Sequence, residues 1–163
     1  MKLLIVCVLL TLALGYHRFN YKNADDMLEY LGDEDHHIYI LFFYNGDVKQ
    51  SEVGDLLKKR NDEERMRVQN IILEKYPQVA FTDVEVSTGA FDKVIDLFGF
   101  EEESLGEFPT IAVLSDGNGQ WVHGPNAAPF AEEMVIALTQ AKDKQVTAEP
   151  VEAAPEQPSA PAQ

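Results

Sequence analysis

With 163 residues, 45% of them hydrophobic, the chain is long enough for one buried core with tails. Thirteen Lys and Arg stand against twenty-eight Asp and Glu, a net charge of -15, and such a surface repels phosphate backbones, so no nucleic acid is expected as a partner. Cys7 is the only cysteine, which leaves no pair to form an internal disulfide.

The chain opens on a targeting pattern. Lys2 supplies the positive start, Leu3 to Leu14 is almost wholly apolar, and Ala13-Leu14-Gly15 is a small-x-small cleavage signal, so residues 1–15 read as a signal peptide. The run falls short of the ~20 apolar residues of a spanning helix. An uncleaved anchor through residues 3–16 is the alternative, and membrane contact is expected only in that case. Cleavage leaves Tyr16 as the first residue and removes Cys7, so the mature chain carries no thiol and can exchange no disulfide. No Asn-x-Ser/Thr sequon occurs.

Phe19, Tyr21 and their neighbours suit a short edge strand. Asn23 is a good cap for a helix running to Leu31, with Met27, Leu28 and Leu31 inward and Gly32 as its stop. After a polar loop, Ile38–Tyr44 is a near-continuous apolar run of strand length, the pattern of a strand buried on both faces at the centre of a sheet. Ser51 to Tyr76 predicts a long or kinked helix with apolar groups at Val53, Leu56 and Leu57 and again at Val68, Ile71, Ile72 and Tyr76. Between them Lys58 to Arg67 is charged, with opposite charges four residues apart at Lys58/Asp62, Lys59/Glu63, Arg60/Glu64 and Glu63/Arg67. Each pair adds only ~0.2–0.5 kcal/mol, yet together they let a helix stand in water, so this middle is expected to project beyond the sheet.

Val79 to Val86 alternates as a strand does, and Phe91, Val94, Ile95 and Phe98 then mark one face of a helix closed by Gly99. Past the acidic run Glu101 to Glu103, Phe108-Pro109-Thr110 opens a short apolar strand at Ile111 to Leu114, since proline can begin a central strand but not sit inside it. The turn Asp116 to Gly119 joins it to Gln120–His123 as a hairpin with a four- or five-residue loop. A last helix is predicted from Pro129 to Lys142, with Phe130, Met134, Ala137, Leu138 and Ala141 on its apolar face. From residue 146 to 163 the chain is Ala, Glu, Pro, Gln and Ser with almost nothing to bury, and reads as a disordered tail; its Pro-Ala-Gln end is not an ER-retention signal.

Strand, helix, proline-opened strand, hairpin, glycine and helix, in that order from Val79 to the last helix, resemble the C-terminal half of a thioredoxin-like domain. The spacing FGFEEESLGEFPT looks most like redox-inactive domains of the protein disulfide isomerase family. The resemblance covers roughly Phe19 to Lys144. It implies an α/β thioredoxin-like fold over residues 16–145, a central mixed β-sheet flanked by helices; the extended second helix read from Ser51 to Tyr76 is the least family-like part. It also implies a cis Phe108–Pro109 bond facing the site where catalytic members carry Cys-x-x-C. Here that stretch is Asn45-Gly46-Asp47-Val48-Lys49-Gln50, with Asp47 and Gln50 about where the two thiols would stand, and neither can exchange a disulfide. No catalytic residue is carried over.

His36 and His37 are adjacent and point apart, so no metal site is expected, and Asp116 to Gln120 lacks the glycine and the bidentate glutamate of a calcium loop. Cofactors are expected to be none. Three functions stay open. One is a binding or chaperone-like module of the secretory pathway, in the ER lumen or secreted, using Asn45, Gly46, Asp47, Gln50, Phe108 and Pro109. A second is a structural accessory subunit of a membrane-associated assembly held through Lys59, Arg60 and Arg67. The third is a low-affinity calcium-binding acidic protein. An enzyme is not expected, because no nucleophile, base and orienting group recur at recognisable spacing.

Overall fold

The computed structural model describes residues 16–32, 37–47 and 51–147. The signal segment, loop residues 33–36, Val48, Lys49, Gln50 and the tail from 148 onward lie outside the described residues.

Among the described residues five strands form one mixed sheet: β1 (His17–Arg18), β2 (Ile38–Tyr44), β3 (Val79–Glu85), β4 (Thr110–Ser115) and β5 (Asn118–His123), in the order β1-β3-β2-β4-β5. β1, β2 and β3 run parallel, while β4 is antiparallel to β2 and β5 to β4. β2 therefore has a neighbour on each side, as its apolar run requires, and Ile38 through Phe43 are all buried. Alternation sends Tyr39, Leu41 and Phe43 to one face and Ile38, Ile40 and Phe42 to the other.

Two helices cover each face. α1 (Ala24–Leu31) and α3 (Asp92–Phe98) seal the first through Ala24, Met27, Val94 and Ile95. The Asn23 side chain accepts from Asp26 N at 2.9 Å, the cap expected for α1. Gly99, at φ 68°, gives α3 its left-handed stop. On the opposite face lie α2 (Glu52–Val68), prolonged by a π-helical turn at Gln69–Leu73, and α4 (Ala127–Thr147), which contribute Val68, Ile72, Ala128, Ala131 and Val135. Strand order, strand directions and two-sided helical cover together are the thioredoxin-like α/β fold, with the extended second helix in place.

Several local expectations are corrected. The edge strand falls at His17–Arg18, and Phe19 adds a backbone bond to Phe81 O at 3.1 Å. Asp116 (φ 52°) and Gly117 (φ 72°) form a two-residue turn, so the hairpin loop is shorter than four residues. Two consecutive positive φ values match the right-handed twist of the flanking strands, and Asp-Gly tolerates them. The Phe108–Pro109 bond is trans. Trans is the lower-energy isomer of an X-Pro bond by ~0.5–1 kcal/mol, and the loop is pinned by Arg60, whose guanidinium donates to Glu107 O at 3.1 Å. α4 starts at Ala127 and turns Ala128, Ala131 and Val135 inward, leaving Phe130 54% exposed, because the small alanines let the helix lie close to the sheet.

The projecting middle of the second helix is also corrected. Its buried residues are Gly54, Leu57, Asn61, Glu64 and Val68, spaced three, four, three and four apart: one unbroken stripe against the domain. Val53, Leu56 and Met66 are its exposed apolar residues. Of the four charge pairs read at i,i+4, Lys59–Glu63 forms at 3.8 Å, while Arg65–Asp62 and Arg67–Glu64 form one residue closer, at 3.0 Å each.

Candidate functional site

The parallel strands β2 and β3 end together, Tyr44 beside Glu85, and the chain leaves β2 through Asn45, Gly46 and Asp47. Asn45 Oδ1 accepts from Asp47 N at 3.1 Å, closing an Asx turn, and Asn45 O receives Asn61 Nδ2 at 3.4 Å. This loop is thus held to α2 through amide groups. Phe43 pairs with Thr110, so Pro109, buried ahead of β4, stands at the same end of the sheet as Asn45. Asn45, Gly46, Asp47, Phe108 and Pro109 are brought to one end as expected; Gln50 lies outside the described residues.

Arg60 and Phe108 join the two surfaces that the sequence keeps separate. The Arg60 guanidinium lies 4.5 Å from the centre of the Phe108 ring, and Phe108 meets His123 edge-on at 6.4 Å. His123 Nδ1 is 3.0 Å from Thr110 Oγ1. Arg67 donates to Glu64 Oε2 at 3.0 Å and to Asn126 Oδ1 at 3.1 Å, so it too is engaged inside the domain. Lys59 remains on the solvated side of the helix, its ammonium 3.8 Å from Glu63.

On the other side of the loop a cleft of about 950 Å³ opens over the ends of β2 and β3, walled by Arg18, Tyr44, Asn61, Arg65 and Asp83. Asp83 is held between two guanidiniums, with Oδ2 2.6 Å from Arg18 Nη2 and Oδ1 2.7 Å from Arg65 Nε. Arg65 also lies 4.9 Å from the Phe42 ring centre and 4.8 Å from that of Tyr44. Desolvation by burial, followed by the charge of Glu85, raises the Tyr44 pKa above its ordinary 10.0. Glu64 reaches across to the start of α4, where Oε1 accepts from Ala128 N at 2.6 Å in a buried contact. A carboxylate there meets both an unpaired N–H and the positive end of the helix dipole.

Sequence reasoning missed Asn61, Glu64, Arg65 and Asp83. The available signal was spacing: extending the three-four step from Gly54 and Leu57 reaches 61, 64 and 68. The assembled loop and cleft offer amide and charged groups for hydrogen bonding. Disulfide exchange needs a thiolate at this position, and Asn45, Gly46 and Asp47 supply none.

No protein-family model matches the chain, and no curated protein matches it by sequence. Among solved structures it is similar to a chloroplastic thioredoxin z (12% identity, TM-score 0.47, covering 77% of this chain and 96% of that one). It is also similar to thioredoxin O2 from Arabidopsis thaliana in its oxidized state (12%, 0.46, 78% and 94%), and to thioredoxin f2 from Chlamydomonas reinhardtii (12%, 0.45, 78% and 97%). The thioredoxin-like fold itself rests on the strand order and registers described above.

Proposed function

We propose that this is a redox-inactive thioredoxin-like protein of the secretory pathway that acts by binding other proteins, as an adaptor or chaperone-like module. One observation carries the reading: in the stretch that follows the central parallel strand, beside Pro109, the sequence has Asp47 and Gln50 about where the two thiols of a dithiol would stand. The fold brings Asn45, Gly46, Asp47, Phe108 and Pro109 to one end of the sheet, and with Cys7 removed in the expected signal segment the mature chain has no thiol to attack a disulfide. The apolar segment at residues 3–14 with its small-x-small end supports entry into the secretory pathway. Attachment through Lys59, Arg60 and Arg67 loses support, because two of the three are spent on contacts within the domain.

The test places a photo-crosslinking residue at Gly46 or Phe108, with Lys59 as the control position, in the chain expressed in secretory cells. Adducts with protein are expected from the first two positions and not from Lys59, with an N-terminus at Tyr16 in the recovered protein. Equal adducts at all positions, or insulin disulfide reduction above the buffer rate, would defeat the reading.

A further inference from the structure

We propose that the outer edge of β5 accepts an extended, basic polypeptide segment as a sixth strand. β5 closes the sheet order, and among the described residues no backbone group pairs with its outer side. Natural edge strands are usually blunted by lysine, proline or a bulge. Asn118-Gly119-Gln120-Trp121-Val122-His123 has none of these: it carries no lysine and no proline, and pairs one-to-one with β4 along its whole length.

Both faces of this edge carry a groove. On one side a space of about 650 Å³ is walled by Val113, Phe130, Met134 and Leu138. On the other, about 660 Å³ is walled by Leu97, Phe98, Leu114 and Trp121, with Trp121 held by its Nε1 donating to Phe98 O at 2.9 Å. Successive side chains of an added strand point to opposite faces, so its alternate residues would enter the two grooves in turn while its backbone bonds to β5.

Charge selects the occupant. Among the described residues, Glu133 is the only charged side chain lining either groove, and the chain as a whole carries -15. A second copy would bring that same charge to the contact, which favours the monomer. The chain's own C-terminal segment is also unsuited: Pro150, Pro155, Pro158 and Pro161 lack the N–H a ladder needs, and Glu149, Glu152 and Glu156 have the wrong sign. A basic segment with alternating apolar residues meets all three conditions. The residues used here are separate from Asn45 to Asp47, so this surface stands or falls independently of the proposed function.

Trp121 is the only tryptophan, and its fluorescence reports on β5 directly. The probe is an alternating valine-threonine peptide flanked by lysines, compared with a glutamate-flanked version and with a lysine-flanked version methylated at alternate backbone nitrogens. The first is expected to give a saturable change, the second to bind roughly tenfold more weakly or worse, and the third to give no response. Replacing the exposed groove walls together, Leu97→Ala with Phe130→Ala, is expected to weaken the first peptide by roughly tenfold with the melting transition retained. Any of these outcomes would overturn the proposal: no saturable response to the lysine-flanked peptide, equal binding of the glutamate-flanked one, full binding of the methylated one, or sedimentation showing the edge occupied by a second copy.

Discussion

Strand β2 and helix α2 both supply a continuous buried stripe, yet they are written in different alphabets. β2 is buried on both faces and spells this out in Ile38 to Phe43, where hydrophobic transfer alone places every side chain. α2 buries Gly54, Leu57, Asn61, Glu64 and Val68, and two of these five are polar. Glu64 is inside with both carboxylate oxygens engaged, by the Ala128 N–H and by Arg67, whereas Asn61 donates Nδ2 to the Asn45 carbonyl and keeps its buried Oδ1 without a partner among the described residues. The apolar stripe is fixed by water and the polar one by geometry, and only the first can be read from residue type.

The largest effect belongs to the apolar stripe. Phe42 is fully buried at the centre of the sheet, and Phe42→Ala is expected to cost about 3–5 kcal/mol, measured by urea unfolding. Next comes the polar stripe. Glu64→Ala removes the acceptor of the Ala128 N–H and the partner of Arg67, an expected loss of about 2 kcal/mol. Glu64→Gln keeps a carbonyl oxygen for Ala128 but not the charge, and should recover part of that loss. If Glu64→Ala unfolds at the same urea concentration as the parent, the stripe is incidental and the contrast between the two elements fails.

How far the sequence could be read follows the same division. Apolar patterning located β2, β3, β4 and the four described helices, because each buries an apolar face; the largely exposed β5 was located by the turn before it, and Asn23 and Gly99 marked helix ends by local chemistry. The Asp116-Gly117 pair is a sequence signal for a two-residue turn with two positive φ values, and reading the turn as Asp116 to Gly119 passed over it. Half of the candidate site was legible, as the loop after β2 and the proline before β4 are fixed by strand register. The cleft beside it was not. Arg18, Arg65 and Asp83 lie 47 and 18 residues apart along the chain, and nothing in their surroundings in sequence announces that they meet.

A smaller, pH-dependent effect sharpens the comparison at Tyr44, where the apolar strand meets the charged cleft. Burial first, then Glu85, makes the folded protein hold the Tyr44 proton more tightly than the unfolded chain does. Stability from this group is therefore fully present below pH 10.0 and is lost as the pH rises through the higher folded value. Lys75, raised by its hydrogen bond to Glu132, loses its contribution in the same direction above 10.5. Urea midpoints followed from about pH 9 to 11 should fall less steeply for Tyr44→Phe than for the parent. Parallel curves would show that the end of β2 is as open to water as a surface tyrosine.

The smallest expected effect tests the outer side of α2, where Lys59 and Arg60 are neighbours in sequence with different surroundings. Arg60 lies over Phe108 and donates to Glu107 O, tying α2 to the loop before β4. Arg60→Ala should cost about 0.5–1 kcal/mol, the usual worth of such a stacked cation at a partly exposed site. Among the described residues Lys59 pairs with Glu63, at 3.8 Å, with both side chains at least half exposed. Solvent screening reduces that pair to almost nothing, and Lys59→Ala is expected to change stability by less than about 0.5 kcal/mol. Thermal melts of the two single variants at one ionic strength separate them. Equal losses would mean that Lys59 also contacts the domain and that the helix has no free face there. A negligible loss for both would mean that the Arg60–Phe108 contact does not hold the loop, leaving Asn61 and the Arg65–Asp83 pair as the polar ties between α2 and the sheet's end, with Glu64 tying it to α4.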